Sequence, residues 1–171
     1  MATYSFARNL TLAVLTIALL FSGSVIHADQ GGLDVFVGQW KLRVTTLQPE
    51  KSEITYTEVY EWVLDGKFIR GETGRKPDGT KDVIYGTYDS LAKGYPFWIF
   101  SSSGSYVYLA PATWNTHKRT MEWKNPAGWD ISYQGRCTFP DENTRHCTMI
   151  QKDWKGKVLL EQEWSAIRRN N

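Results

Sequence analysis

The sequence is short of the residues that most often carry chemistry. Its 171 residues include two cysteines and three histidines, and His27 lies in a segment that we expect to be removed. The other two, His117 and His146, stand apart from each other, whereas metal sites usually need clustered His, Cys or carboxylate ligands. No metal site and no cofactor is therefore predicted.

Motifs for nucleophilic or nucleotide chemistry are also missing. The chain has no Gly-x-Ser-x-Gly elbow, no phosphate-binding loop and no dinucleotide fingerprint. The serine-rich stretch at 101–105 is typical of a turn, and no histidine is placed in the sequence to activate a serine. No catalytic residue is assigned from these patterns.

The sequence also lacks a large excess of either sign of charge. The chain has 20 basic and 18 acidic residues and no run of Lys or Arg. Nucleic-acid binding needs a dense basic surface that neutralises phosphates, so this near-neutral composition argues against a nucleic-acid partner. The composition favours no particular oligomeric state.

No hydrophobic run is long enough to span a membrane. The apolar run from Leu10 to Phe21 follows a single cation, Arg8, and has 12 residues, whereas a transmembrane helix needs about 20. Small and polar residues follow it as far as Ala28. This pattern predicts a signal peptide over residues 1–28 and a secreted or periplasmic domain over residues 29–171, which does not span the membrane once mature.

Export would place Cys137 and Cys147 in an oxidising compartment. A hairpin centred on Glu142 brings the two cysteines directly opposite each other on neighbouring strands. We therefore predict a disulfide between them, which closes a short loop and stabilises the fold by about 2–3 kcal/mol.

Period-two alternation of apolar and polar residues runs through nearly the whole mature chain, interrupted by Gly, Pro, Asn, Asp and Ser. Short connections between strands favour an antiparallel meander, and about ten strands in one small domain favour a closed or nearly closed all-β barrel. We place strands near 39–47, 53–64, 67–75, 81–89, 95–102, 105–110, 117–124, 129–139, 145–154 and 157–168.

The second and third strands can be registered from the sequence. Asp65-Gly66 suits a two-residue type I′ turn, which places Trp62 opposite Ile69 and Glu61 opposite Arg70. Counting outward from the turn puts four residues on the inner face: Tyr56, Glu58, Tyr60 and Trp62. Glu58 is unusual because it is a carboxylate among aromatic neighbours.

Two later strands add to this interior. Alternation over 129–139 turns Trp129, Tyr133 and Cys137 inward, and the last strand carries Arg168 at the end of an apolar stripe. A single proline at position 96 suggests an edge or the start of a strand.

Gly38 and Trp40 stand at the start of the first strand, after a short apolar turn. A Gly-x-Trp in that place, ahead of a ten-strand meander, resembles the lipocalin and wider calycin barrels. The resemblance implies that Trp40 closes the barrel base and packs against an arginine of the last strand, here Arg168, with Arg169 as the alternative. Gly38 would let the entering chain pass close to the sheet.

A closer resemblance rests on four stretches, "FVGQWKL", "YEWVLDGKFIRGE", "YGTYDSLAKGY" and "EWSAIRR". Together they are similar to a bacterial domain-of-unknown-function family with a calycin-like barrel, which implies a fold and no activity. The chain departs from the haem-binding relatives of the barrel, because no second and third glycine follow Trp40.

Three functions stay open at this point. An aromatic interior with a few polar groups is typical of a small-molecule site, and the predicted ligand-binding residues are Tyr56, Glu58, Tyr60, Trp62, Trp129 and Tyr133. The ligand would be a small apolar or amphipathic molecule whose polar end is held by Glu58.

The second function is an envelope-associated interaction module, for which an outer patch of Val63 and Phe68 is the candidate surface. The third is an enzyme that uses Glu58 as acid or base. The simpler alternative for Glu58 is a carboxylate paired with an arginine, a tyrosine hydroxyl or water.

Export can be tested by the intact mass of the secreted protein. We expect the mature chain to begin at Asp29, because the apolar run is too short to anchor it and Ala28 is a suitable small residue before the cleavage point. A membrane-bound species that retains Met1 would contradict this expectation.

Overall fold

The structure, a computed structural model, describes residues 31–125 and 130–169. The predicted signal peptide and Trp129 lie outside the described residues. A short helix, α1 (Gly31–Asp34), precedes ten strands. Their bounds are β1 (Gly38–Gln48), β2 (Ser52–Val63), β3 (Phe68–Thr73), β4 (Asp82–Thr87), β5 (Tyr95–Ser101), β6 (Tyr106–Asn115), β7 (Thr120–Lys124), β8 (Ile131–Thr138), β9 (Thr144–Asp153) and β10 (Val158–Arg168).

The strands form a closed antiparallel barrel. Each strand pairs with the next one along the chain, and β1 pairs with β10 to complete the circle. Trp40 on β1 therefore has Glu58 of β2 on one side and Arg168 of β10 on the other. The predicted all-β meander barrel of ten strands is confirmed.

The β2–β3 hairpin has the register that the turn sequence predicts. Trp62 lies opposite Ile69, Tyr60 opposite Gly71 and Glu61 opposite Arg70. Asp65 and Gly66 have φ values of 55° and 72°, as a type I′ turn requires.

The predicted Cys137–Cys147 disulfide is present, and it joins directly opposed positions on β8 and β9. Because successive side chains of a strand alternate in direction, the bridge and the other odd-numbered side chains of β9 share one face.

The largest difference from the predicted strands concerns β6, which continues to Asn115 rather than ending near 110. The β5–β6 register shifts between Tyr95 and Phe97, and this bulge accommodates both Pro96 and Pro111. Pro96 is the second residue of β5, so it lies near the start of a strand, which was one of the two predicted alternatives, and not at a sheet edge.

Two later strands, β7 and β8, begin after their predicted starts. β7 starts at Thr120 rather than near 117, because residues 116–119 form the β6–β7 turn. The turn includes Arg119 at a φ of 48°, and the amide of Lys118 donates to the Asn115 side chain. β8 starts at Ile131 rather than 129.

One end of the barrel is closed by α1 and the segment that follows it. Leu33 and Phe36 are buried there beneath Trp40, whose Nε1 donates to the Phe36 carbonyl at 2.7 Å. The Arg168 guanidinium lies 4.3 Å from the centre of a Trp40 ring. It also donates to the carbonyls of Val35 and Val37.

Gly38 is required at this junction for two reasons. Its φ is 118°, which side chains rarely adopt, and a Cβ there would lie 2.5 Å from Nη1 of Arg168. The glycine thus makes room for the arginine that closes the barrel. Arg169 is exposed, so Arg168 is the arginine that packs on Trp40.

Trp40→Ala should lower the free energy of unfolding by about 3–5 kcal/mol, because it empties a fully buried site and frees Arg168. Trp154→Ala is the matched control, since Trp154 is 75% exposed, and it should change the value by less than about 0.5 kcal/mol. Urea unfolding measures both. Equal stability of the two variants would show that Trp40 does not hold the barrel base.

Candidate functional site

The barrel encloses a cavity of about 310 Å³ between its closed end and its other end. Most of its wall is apolar, and all ten strands contribute to it. The aliphatic side chains are Leu42, Val44, Ile54, Ile84, Ile99 and Leu109, and the rest of the apolar wall includes aromatic rings such as Phe97 and Trp164. This volume is at the lower end of the roughly 300–1,000 Å³ that small-molecule pockets occupy. The interior therefore has room for one small, mainly apolar molecule.

A buried ion pair lies at the inner end of the cavity. Arg145 Nη2 of β9 donates to Oε2 of Glu58 at 2.6 Å, and both side chains are more than 90% buried. Arginine was one of the three partners that the sequence left open for Glu58. The pair satisfies a carboxylate that would otherwise be costly to bury.

Aromatic rings surround the guanidinium of this pair. Its carbon lies 5.1 Å from a Trp40 ring centre, 5.5 Å from that of Phe36 and 6.0 Å from that of Tyr60. Ring faces attract cations, most strongly where water is excluded. Arg145 is therefore held both by a carboxylate and by the rings that close the barrel.

These surroundings shift the pKa values of neighbouring groups. Burial, and next the negative charge of Glu58, raise the pKa of Tyr60 well above its ordinary value. The same two causes raise the pKa of Tyr56. Burial alone would lower the pKa of Arg145, but the Glu58 carboxylate outweighs it and the pKa is raised. At neutral pH both tyrosines are therefore neutral and the guanidinium is charged.

A second ion pair lies toward the other end of the cavity. Nζ of Lys76, from the β3–β4 loop, donates to Oδ2 of Asp82 at the start of β4. The same Nζ is 5.7 Å from the centre of the Tyr56 ring, and the two charged side chains are 17% and 15% exposed. Thr73 contributes its hydroxyl oxygen, which accepts from the Asp82 amide at 2.7 Å.

The disulfide and Trp164 form part of the cavity wall. Cys137 and Cys147 line it from β8 and β9, and Trp164 of β10 lies opposite Cys147. Since Trp123 and Trp164 both line the cavity, tryptophan emission should respond to an occupant.

Three of the six predicted ligand-binding residues line the cavity: Tyr56, Glu58 and Tyr60. Trp62 lies at the closed end, where its Nε1 donates to Oδ1 of Asp34 at 3.0 Å. Tyr133 faces inward but its hydroxyl accepts from the Ala110 amide, in β6 next to the bulge at Pro111. Trp129 lies outside the described residues. The role of these six residues in ligand binding stays a prediction.

Arg145, Lys76 and Asp82 were not predicted as site residues. Arg145 could have been predicted from the sequence. It lies two positions before Cys147, so it shares the face of β9 that the predicted disulfide turns toward Cys137. Asp82 shares the inward face of Ile84 by the same alternation. Lys76 belongs to a loop, for which strand alternation gives no signal.

A patch of aromatic side chains covers part of the outer wall. Tyr85, Trp98 and Tyr108 are aligned across β4, β5 and β6, and Phe100 lies beside Tyr106 in the next row. The predicted patch, Val63 with Phe68, is a half-buried cross-strand pair. Exposed rings are therefore concentrated on β5 and β6 rather than at the first hairpin.

Among residues 31–125 and 130–169, no three His, Cys, Asp or Glu side chains are grouped so that they could hold a metal ion. In the same residues, no helix is long and apolar enough to cross a membrane.

Comparison with solved structures gives the class of fold. Rv2717c from M. tuberculosis matches with a TM-score of 0.61 at 12% identity, over 83% of this chain and 98% of that protein. The S-type phycobiliprotein lyase CPES from Guillardia theta matches with a TM-score of 0.50 at 13% identity, over 81% and 90% of the two chains. No protein-family model and no curated protein sequence matches this chain.

A third structure is a protein of unknown function from the DUF3598 family of Nostoc punctiforme. It matches with a TM-score of 0.53 at 10% identity and covers 80% of this chain, which spans about half, 49%, of that protein. These neighbours and the ten-strand meander support the resemblance to a domain-of-unknown-function family with a calycin-like barrel. Identities this low show a shared fold alone.

Breaking the inner ion pair from one side should be costly. Glu58→Gln leaves the Arg145 charge buried and unpaired, so we expect it to lower the free energy of unfolding by about 3–5 kcal/mol. The double variant Glu58→Leu with Arg145→Met removes both charges and should recover most of that loss.

The matched control is Glu53→Gln, which breaks an exposed pair with Arg43 and should cost at most about 1 kcal/mol. Urea unfolding measures all three proteins. If Glu58→Gln were as mild as the control, the Glu58–Arg145 pair would not be a buried pair in solution.

Proposed function

We propose that this protein binds one small, largely apolar or amphipathic molecule inside its barrel. The observation that carries the proposal is the 310 Å³ cavity, with its apolar wall of aliphatic and aromatic side chains and few polar groups. Such a combination is typical of small-molecule sites, where apolar surface supplies affinity and a few polar groups supply orientation.

Tyr56, Glu58 and Tyr60 are the residues of the proposed site that were predicted from the sequence. Arg145 joins them, because it pairs with Glu58 and lines the same cavity. The pair gives the inner end of the site a polar surface of zero net charge, beside the neutral hydroxyls of the two tyrosines.

The hollow interior favours a binding function over an interaction module. A module that works only through its outer wall has no use for a hollow core, and empty space in a core costs stability. One neighbour with this fold, from Guillardia theta, is a phycobiliprotein lyase. We do not assign that activity to this chain.

We also propose that the protein works after export, in the periplasm or outside the cell. The disulfide across β8 and β9 supports this, since such bonds persist in oxidising compartments.

The neutral dye N-phenyl-1-naphthylamine, whose emission rises in apolar surroundings, tests the cavity directly. We expect saturable binding with one dye per chain. Val44→Trp places a large ring in the cavity beside Trp164 and should weaken dye binding about tenfold or more, since one displaced ring-sized group is worth at least 1.4 kcal/mol.

The control is Val59→Trp, which puts the same ring on the outer face of β2, where Val59 is 43% exposed. It should leave dye binding unchanged. If the parent protein shows no saturable binding, or if both variants bind like the parent, the cavity does not receive small molecules.

A further inference from the structure

The charged groups inside the cavity cancel each other. The described lining includes four charged side chains, and they form two pairs, Glu58 with Arg145 and Lys76 with Asp82. Both pairs are largely buried, so water screens them weakly. A charged ligand would be stripped of water and would meet no unpaired charge of opposite sign, which is unfavourable.

The charges in the cavity are paired, but some of its hydrogen-bonding atoms are not. Among the described residues, three buried side-chain atoms have no hydrogen-bond partner: Oδ1 of Asp82, Nε1 of Trp123 and Nε of Arg145. All three side chains line the cavity. Buried polar atoms are normally paired, so an unpaired atom on a cavity-lining side chain is a position where an occupant can supply a hydrogen bond.

The three atoms differ in what they require. Oδ1 of Asp82 is an acceptor and needs a donor, while the two nitrogens are donors and need an acceptor. A carboxylate offers no donor to Asp82, and an ether offers only an acceptor. A hydroxyl or an amide offers both.

Asp82 is the most demanding of the three, because its carboxylate forms a salt bridge with Lys76. A hydrogen bond to an ionised group is about twice as strong as one between neutral groups. The other oxygen of the Asp82 carboxylate accepts from Lys76, and the Asp82 backbone amide donates to the Thr73 hydroxyl. These two hydrogen bonds hold the residue in place.

From these observations we infer that the occupant is electrically neutral and carries a hydroxyl or amide group that donates a hydrogen bond to Oδ1 of Asp82, with an apolar body along the apolar wall. The inference rests on the proposed function and specifies its ligand class. The polar group of the ligand then lies near Lys76 and Tyr56, rather than at Glu58 as the sequence suggested, and the apolar body extends toward Tyr60.

Four probes with one alkyl chain and different head groups test the inference: 1-decanol, decyl methyl ether, decanoate and decylammonium. Each competes with bound N-phenyl-1-naphthylamine at pH 7.5. We expect 1-decanol to bind about tenfold more tightly than the ether, which lacks the donor, because a hydrogen bond to an ionised acceptor supports a difference of that size. It should also bind more tightly than both charged probes.

Removing the acceptor tests the residue assignment. In the double variant Lys76→Met with Asp82→Leu, which removes both charges together, the preference for 1-decanol over the ether should fall to about one. The control is Arg43→Met with Glu53→Leu, an exposed pair on the outer face, which should keep the preference of the parent.

Several results would overturn the inference. They are equal binding of 1-decanol and the ether by the parent, tighter binding of either charged probe, failure of all four probes to displace the dye, or a preference that survives in the Lys76/Asp82 variant. In each case saturable dye binding would leave the proposed function standing. Absence of dye binding would remove both.

Discussion

The packing of Arg168 on Trp40 is the contact on which the rest of the barrel depends. One guanidinium covers the indole and also holds two carbonyls of the segment that plugs the barrel, Val35 and Val37. Its Nε donates a further hydrogen bond to the backbone carbonyl of Glu142, in the β8–β9 turn. Three distant parts of the chain therefore meet at one side chain, and Gly38 is the residue that leaves space for it.

The closed end of the barrel determines the surroundings of the charged side chains next to it. Because Trp40 lies between Arg168 and Glu58 in the sheet, the carboxylate enters the barrel next to the plug, where water is excluded. A buried carboxylate needs a counter-charge, and Arg145 supplies it from β9 while also facing the plug rings. The interior is consequently an apolar chamber with a neutralised charge pair at its base.

The aromatic residues of the interior form two groups, one that bonds to the protein itself and one that faces the cavity. Trp62 and Tyr133 use their polar atoms on the protein itself, in bonds to Asp34 and to the Ala110 amide in the bulged part of β6. Tyr56 and Tyr60 instead face the cavity, and the Tyr60 ring lies over Gly71, where a Cβ would come within 2.4 Å of it. An inward aromatic residue therefore does not by itself mark a binding position.

The sequence by itself determined the all-β class, the ten strands, the β2–β3 register, the disulfide and the role of Trp40 with Arg168. The class, the strands, the register and the disulfide follow from local rules, since alternation, turn residues and cysteine spacing act over neighbouring strands. The role of Trp40 with Arg168 follows from the resemblance to lipocalin barrels and from the inward position of Arg168 on the last strand. Only the tertiary structure decided that Glu58 meets Arg145, 87 positions away, that Lys76 folds onto Tyr56, and that the interior is partly hollow. Those outcomes depend on which strands face each other across the barrel and on how much volume their side chains leave, and neither quantity is encoded in any short stretch of chain.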